Sequence, residues 1–145
     1  MSSLRLMLEG QGFQRVPLKK LVTQHYKVQA KINNRKGWFI LDSGASTSCI
    51  NNQTAQRFKL VLSDSDIKAT GAGSSNLHTQ LSHENSISFT QWTKSNCSLI
   101  VMDLSHVNAG LAQVEEEAVD GIIGADLLKA ARAVIDYGRN CMYLK

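Results

Sequence analysis

The most informative stretch of the chain reads Ile40-Leu41-Asp42-Ser43-Gly44-Ala45-Ser46. It completes the continuous apolar run 38–41, which predicts a strand buried on both faces. An acid placed directly after such a strand is costly unless it is hydrogen-bonded or shares a proton. Gly44 permits a tight turn that brings backbone N–H groups near the Asp42 carboxylate, and the Ser43 hydroxyl can brace the loop. The pattern therefore predicts a carboxylate held rigidly at the floor of a cleft.

Asp-Ser-Gly is also common in ordinary turns. Its position after a buried strand, together with a second segment, decides between an ordinary turn and a rigidly held carboxylate. That second element reads Gly121-Ile122-Ile123-Gly124-Ala125-Asp126-Leu127-Leu128. Two apolar residues, a glycine and then a helix suit a strand that passes close behind a catalytic loop. A plain strand–glycine–helix junction has the same pattern. This segment therefore indicates a site only in combination with residues 40–46.

Short strands dominate the rest of the chain. Residues 25–32 alternate between apolar and polar side chains, and the turn cluster 33–37 then predicts a hairpin with a five-residue loop. Short helices are expected from Asn51 or Asn52 to Phe58 and over 125–132, and residues 106–119 are ambiguous. Further strands are predicted at 60–70, 77–92, 97–104 and in a closing hairpin over 134–144. This succession predicts an all-β, barrel-like domain.

Length and composition indicate one ordinary globular domain over residues 1–145, with 43% hydrophobic and 19% charged residues. No apolar run approaches the length of a membrane span, and the apolar stretch at the N-terminus is too short for a secretory signal. The three cysteines are widely spaced and form no C-x-x-C pair, which favours a reducing compartment over a disulfide scaffold. We therefore expect a cytoplasmic protein without membrane association.

Charge is distributed unevenly along the chain. Residues 1–41 carry eight Lys or Arg and one acid, a balance of +7, whereas the remainder carries eight bases and eleven acids, a balance of −3. The simplest interpretation is a solvated strand face. A nucleic-acid surface would call for interleaved aromatic residues and a recognisable binding module, so no nucleic-acid partner is expected from the sequence.

Taken together, these segments resemble the retropepsin-like aspartic proteases, the single-lobed relatives of pepsin. The resemblance rests on residues 41–46, on the glycine-rich Gly71-Ala72-Gly73 at flap spacing, and on residues 122–128. It implies a closed or partly open β-barrel with one or two short helices. The length of the chain is closer to bacterial or retroelement-like members than to compact viral ones.

The resemblance also implies an activity, which is hydrolysis of peptide bonds by an activated water. Two aspartates lie about 3 Å apart in such a site and share one proton, because like charges that close cannot both ionise. The chain contains a single Asp-Ser/Thr-Gly, so a two-fold homodimer would bring together Asp42 from each copy. Asp42, Ser43 and Gly44 are the implied catalytic residues, and no metal or cofactor is required.

An extended peptide or protein substrate would lie between this floor and a flap formed by residues 66–80, hinged at Gly71 and Gly73. The substrate-binding residues implied by the resemblance are Ala45, Gly71, Ala72, Gly73 and Ile123. The C-terminal strand Met142-Tyr143-Leu144 is a candidate element of a dimer sheet.

Two positions depart from the family's viral members. Ser46 and Ala125 occupy the places of an acid and an arginine that pair in many of them, so that ion pair is absent here. Ser43 stands where threonine is commoner, and it keeps the hydroxyl group.

Other functions are less well supported by the spacing of the residues. A domain of the same fold that binds extended peptides or dimerises without cutting them is the main alternative. A dyad of Cys49 with a histidine has no supporting context, and His78, His83 and Cys97 are too irregularly spaced for a zinc site. Gly71-Ala72-Gly73-Ser74 lacks the residues that complete a nucleotide-binding loop.

Overall fold

The computed structural model describes residues 3–64 and 78–145. Its helices are α1 (Ser3–Gly10), α2 (Ser105–Gln113) and α3 (Ala125–Ala130), with 3-10 helices at Ala55–Phe58 and Tyr137–Arg139. Its strands are β1 (Gln14–Pro17), β2 (Lys19–Lys20), β3 (Tyr26–Ile32), β4 (Arg35–Leu41), β5 (Cys49–Asn51), β6 (Ser63–Asp64), β7 (Gln80–Phe89), β8 (Trp92–Met102), β9 (Gly121–Ile123), β10 (Val134–Asp136) and β11 (Cys141–Leu144). None of the helices in these ranges is long and apolar enough to cross a membrane.

Six of the strands close into a barrel. They follow one another in the order β3, β4, β9, β5, β8 and β7, and β7 pairs back with β3. β2 and β6 extend this sheet beside β3 and β7. The predicted all-β barrel is therefore confirmed.

The β3–β4 hairpin that leads to Asp42 is tighter than its sequence suggests. The turn consists of Asn33 and Asn34 alone, both with positive φ (51° and 67°), and β4 already begins at Arg35. The expected five-residue loop is thus wrong. Asparagine tolerates the left-handed conformation that a two-residue turn needs, and the Asn33 side chain is held by hydrogen bonds to Phe58 O (2.8 Å) and Asn85 Oδ1 (2.9 Å).

β9 brings the two informative stretches of sequence together. It runs parallel to β4, with Ile40 beside Ile122, and antiparallel to β5, with Ile50 beside Gly121. A Cβ at Gly121 would lie 2.2 Å from the carbonyl oxygen of Cys49, so only glycine allows β5 to approach this closely.

Apolar side chains pack in two main clusters on opposite faces of the barrel sheet. The inner cluster fills the barrel and includes Val28, Phe39 and Ile123. The outer cluster lies on the other face and contains Leu111 of α2 together with strand residues that include Ile40 and Ile122. The alternation of β4, with Phe39 inward and Ile40 outward, follows from the two-residue period of a strand.

A separate three-stranded sheet joins the two ends of the chain, in the order β1, β11, β10. Leu8 of α1 packs on it against Cys141 and Tyr143. The closing hairpin was expected from the sequence, whereas α1 was not. β11, which contains Met142-Tyr143-Leu144, has a neighbour from its own chain on both sides, so its edges are occupied within one copy.

Some predicted elements differ from the observed ones. The helix expected from Asn51 or Asn52 is a single 3-10 turn at Ala55–Phe58, preceded by Thr54. The ambiguous 106–119 segment contains α2. Within the predicted strand 60–70, only Ser63–Asp64 is a strand among the described residues.

Candidate active site

Asp42 lies at the point where β4 ends and a tight turn begins. Its backbone N–H donates to the carbonyl oxygen of Ile123 (2.9 Å), which continues the ladder between β4 and β9. Its Oδ1 accepts a hydrogen bond from Gly44 N–H (2.9 Å), and its carbonyl oxygen accepts one from Ala45 N–H (3.1 Å). The expected backbone N–H near the carboxylate is therefore present, and it orients one carboxylate oxygen.

The Asp42 turn is otherwise open to solvent in one copy. Asp42, Ser43 and Gly44 are all exposed within one copy, so the cleft whose floor the sequence predicts is not formed by this turn alone. Among the residues that the structure describes, neither Asp42 Oδ2 nor the Ser43 hydroxyl has a hydrogen-bond partner. The loop is thus braced by the carboxylate itself and not by Ser43 within one copy.

The far side of the loop is fastened to the start of α3. The Ser48 hydroxyl is buried, accepts a hydrogen bond from Gly124 N–H (2.8 Å) and donates one to Asp126 Oδ1 (2.7 Å). The same Oδ1 accepts a bond from Ser48 N–H (3.0 Å). A Cβ at Gly124 would lie 2.6 Å from the carbonyl oxygen of Ala45, so this approach also requires glycine.

An apolar wall adjoins Asp42 on the outer face of the sheet. Ile40 precedes Asp42 by two residues, so the two side chains share a face, and Ile40 is paired with Ile122 on β9. Ala45 packs against the same outer cluster. Ile123, which the sequence suggests as a pocket residue, is 1% exposed and lies in the inner cluster, so Ile122 is the residue of this pair on the Asp42 face.

α2 contributes to the same outer cluster as this wall. Leu104 and Leu111 are buried in the outer cluster, and Asn108 holds the following segment through two hydrogen bonds with the backbone of Val119 (2.8 and 3.2 Å). Asp103 Oδ1 accepts a bond from Ser105 N–H (2.8 Å) at the start of the helix. Hydrogen bonds from the backbone and side chain of Ser105 hold the pKa of Asp103 below its usual value.

A model of the aspartyl protease family matches residues 28–127, which include most of β3, all of β4, the Asp42 turn, β9 and the first residues of α3. The chain belongs to the aspartyl protease family. No curated protein sequence matches it significantly.

Three solved structures have folds similar to that of this chain. A retropepsin-like aspartic protease from Rickettsia conorii has a TM-score of 0.58 at 17% identity, with 91% of this chain and 89% of that chain covered. The retroviral protease-like domain of Ddi1 from Leishmania major has a TM-score of 0.57 at 22% identity, with 82% and 86% covered. EIAV protease, solved with the inhibitor HBY-793, has a TM-score of 0.60 at 18% identity, with 81% and 98% covered. The retropepsin-like fold implied by the sequence is confirmed.

This member of the aspartyl protease family links its loop to α3 in a way that the sequence did not reveal. The positions of the absent ion pair hold Ser46, which is exposed, and Ala125, whose N–H donates to Ala45 O (2.7 Å). Ser48 and Asp126 make the side-chain link instead. One signal was available, because an acid in the first turn of a helix is often placed to accept hydrogen bonds from N–H groups.

A cysteine nucleophile beside the site is excluded by burial. Cys49 is 5% exposed, and burial raises the pKa of its thiol to about 12, so it stays protonated at neutral pH. His83 bonds instead to the hydroxyl of Ser98 (2.8 Å). Within residues 3–64 and 78–145, no three His, Cys, Asp or Glu side chains are grouped to hold a metal ion.

The flap expected from the sequence lies mostly outside the described residues. Gly71, Ala72 and Gly73 belong to the segment 65–77, which falls outside these residues. β6 and β7, which flank this segment, are paired through Ser63 with Leu81 and Asp64 with Gln80. The assignment of a flap therefore stays a prediction.

Proposed function

We propose that the chain is an aspartic endopeptidase in which a water molecule is activated by two Asp42 carboxylates, one from each copy of a homodimer. The observation that carries this proposal is the Asp42 turn. One oxygen of its carboxylate is oriented by Gly44 N–H, and the other is free in a loop that is itself fastened to α3. Such a carboxylate can act on water as a general base or give a proton to a carbonyl oxygen.

The need for a second copy follows from the chemistry of the pair. One carboxylate supplies the base and the other the acid, and the chain has a single Asp-Ser-Gly. The exposure of Asp42 and Ser43 supports a surface that another copy covers. Because β11 is flanked by β1 and β10, we expect a dimer sheet, if one forms, to extend from β1 or β10 and not from Met142-Tyr143-Leu144.

The substrate would be an extended peptide or protein segment. We propose that the side chain next to the bond that is cut lies near Ala45 and the wall formed by Ile40 and Ile122. Because Ile40 and Ile122 are already nearly buried in the outer cluster, the packing of that cluster would limit the size of this side chain. The flap, with Gly71, Ala72 and Gly73, would close over the peptide backbone from the other side.

Replacement of Asp42 tests this function. We expect Asp42→Asn to abolish cleavage of an unfolded protein while sedimentation and thermal unfolding stay unchanged. Glu117→Gln removes one exposed acid elsewhere, so it is the matched control and should retain full activity. Cleavage that persists in purified Asp42→Asn protein would overturn the assignment.

Mixing the two forms tests the shared site. In an equimolar mixture at constant total concentration, independent active chains would retain about one half of the activity. Two-fold pairs that need both Asp42 residues would retain about one quarter, because mixed pairs are inactive. Activity should also fall at high pH as the shared proton is lost, so a rate that keeps rising through neutrality contradicts the pair.

The second candidate is a non-catalytic domain of the same fold that binds extended peptides or dimerises, and one observation argues against the side-chain pocket that the peptidase would use. Ile40 and Ile122 are only 7% and 9% exposed, because residues of the chain itself already pack against the wall. A monomer at micromolar concentration that binds unfolded peptides and cuts none of them would support this candidate over the peptidase.

A further inference from the structure

Four lysines share the outer face of β2, β3 and β4. Lys19 on β2 is directly opposite Lys27 on β3, and Lys31 on β3 is directly opposite Lys36 on β4. Trp38 lies between these two pairs, opposite Gln29. We call Lys19, Lys27, Lys31, Lys36 and Trp38 the lysine face; it extends about 13 Å along β3, from the rise of a strand.

This arrangement is unfavourable for the isolated fold. Like charges directly opposite each other on neighbouring strands destabilise a sheet. Among residues 3–64 and 78–145, the ion pairs that the structure contains join acids to Arg5, Arg57 and Arg139, so the acids in these ranges leave the lysine face uncompensated. A charged surface that costs stability and is not neutralised within the described chain indicates a partner of opposite charge.

Lys27 is the most unusual member of the face. It is 4% exposed, although an ammonium group is rarely buried without a carboxylate or a hydrogen bond. Its Nζ lies 4.8 Å from the centroid of the Trp38 ring, a cation–π contact. The indole ring is thus held in place between the two lysine pairs by a contact from one of them.

We propose that the lysine face binds single-stranded nucleic acid. Lysine side chains neutralise phosphates, and an aromatic ring placed among them gives a base a surface on which to stack. Trp38 is the interleaved aromatic residue that the linear sequence did not reveal, because β4 follows the lysines of β3 in sequence and lies beside them only in the hairpin. This site adjoins the apolar wall, because Lys27 is paired with Ile40 on the same face, but it does not use Asp42 and does not depend on the proposed peptidase chemistry.

The geometry favours nucleic acid over an acidic peptide or a membrane. An extended peptide gains main-chain hydrogen bonds at a free sheet edge, whereas β3 and β4 each have strand neighbours on both sides and the terminal strand β2 is only two residues long. A membrane surface would call for protruding apolar side chains, but Trp38 is half-buried. Of the exposed large apolar residues of the described chain, Leu6 lies on α1 and Val61 precedes β6, and Val22 is the one in the connection between β2 and β3.

Two triple variants of equal charge test the proposal. Lys19→Gln/Lys31→Gln/Lys36→Gln removes the exposed lysines of the face, and Lys94→Gln/Lys129→Gln/Lys145→Gln removes three exposed lysines from elsewhere. Each variant lowers the formal net charge from +4 to +1, that is 4 − 3 = 1. Both are made in the Asp42→Asn background, and binding of a labelled single-stranded oligothymidylate or oligouridylate is followed by fluorescence anisotropy as salt is raised.

We expect the lysine-face variant to lose more than about tenfold in affinity and its log–log salt slope to fall by about 2, whereas the control variant changes less than about threefold. In Trp92→Phe protein, which keeps Trp38 as its one tryptophan, the oligonucleotide should quench the fluorescence. Trp38→Leu should weaken binding without changing the salt slope.

Several outcomes would overturn the proposal. They are the absence of binding at low salt, an equal loss in both triple variants, and unchanged Trp38 fluorescence on binding. Equal affinity for polyglutamate of the same charge would assign the face to acidic peptides. Binding to phosphatidylserine vesicles that the oligonucleotide does not displace would assign it to a membrane surface.

Discussion

The loop from Asp42 to Ser48 has an aspartate, a serine and a glycine at each of its two ends, but at the second end the aspartate and the glycine come from the 121–128 segment. The free end consists of Asp42, Ser43 and Gly44, all exposed. The fastened end is formed by Ser48 with Gly124 and Asp126 of the 121–128 segment. The difference matches two roles. A group that acts on a substrate needs polar atoms without hydrogen-bond partners in the protein, whereas the groups that position it have their polar atoms hydrogen-bonded. We therefore expect changes at the free end to affect activity and changes at the fastened end to affect stability.

The glycines should show the largest contrast in stability. A Cβ at Gly124 would meet the carbonyl oxygen of Ala45 at 2.6 Å, so Gly124→Ala should destabilise the protein by about 3 kcal/mol, because backbone must move. At Gly44 the nearest atom is Asp42 Oδ1 at 3.2 Å, the end of a side chain that can turn. Gly44→Ala should therefore cost less than about 0.5 kcal/mol while lowering peptidase activity.

Urea unfolding measures this contrast, and Gly110→Ala is its control. Gly110 is in α2 with nothing within 4 Å of an added Cβ, so alanine there should stabilise the protein by about 0.5 kcal/mol. Similar unfolding midpoints for Gly124→Ala and Gly44→Ala would contradict the difference between the two ends of the loop.

The serines should differ by a smaller amount. Ser48→Ala leaves the buried Gly124 N–H without its partner, which should cost about 2 kcal/mol. Ser43→Ala removes a hydroxyl with no partner in the described chain, so the free energy of unfolding should change by less than about 0.5 kcal/mol. Thermal unfolding of both variants, with Ser48→Thr to restore the hydroxyl, is the measurement. A larger cost at Ser43 than at Ser48 would show that the assignment of the two ends is wrong.

The aspartates should differ less again in stability. Asp126→Ala should cost about 1 kcal/mol, since the lost bonds include one from the buried Ser48 N–H but the residue is otherwise exposed. Asp126→Asn keeps Oδ1 as an acceptor and should recover most of that loss. Asp42→Asn should leave stability unchanged and abolish cleavage. If activity tracks stability across these three variants, positioning and chemistry are not separated as we describe.

The smallest effect is expected from pH at Cys49, the residue that follows Ser48. Burial raises the pKa of this thiol from 9.0 to about 12, so the fold favours the protonated form. Its contribution to stability is therefore complete at pH 7, begins to fall about one pH unit below 9 as the unfolded thiol ionises, and is lost as pH rises toward 12. Between pH 7 and pH 9 the loss through this group should be about 0.4 kcal/mol, and Cys49→Ala should unfold with a correspondingly flatter pH dependence. An unchanged slope in that variant would contradict the shift.

Local patterns were sufficient to predict several elements of the fold. The alternation over 25–32 and the apolar run after it predicted the β3–β4 hairpin, and the closing hairpin was found in the same way. The length of the β3–β4 turn was not predicted. Asn33 and Asn34 adopt left-handed conformations, and Asn33 is held there by hydrogen bonds to Phe58 and Asn85, which are distant in sequence. α1 was not predicted, because its apolar residue Leu8 is buried only by packing against the β1–β11–β10 sheet.

The candidate site was predicted in part. The Asp42 turn with its N–H bond to the carboxylate followed from the order of residues, as did the approach of the 121–124 segment. The sequence suggested Ile123 as a pocket residue, and its position in the inner cluster could not be predicted, because it depends on which face of β9 points into the barrel. Gly71, Ala72 and Gly73 stay predictions.

Sequence alone determined that an acid, a small hydroxyl residue and a glycine end a buried strand, because those preferences act between neighbouring residues. Only the tertiary structure decided what surrounds them. The bond from Ser48 to Asp126, the burial of Ile40 in the outer cluster, and the position of Trp38 among four lysines all join residues through strand register and barrel closure. These contacts arise when a closed sheet fixes distant segments at hydrogen-bond distance, and no local pattern in the chain specifies them.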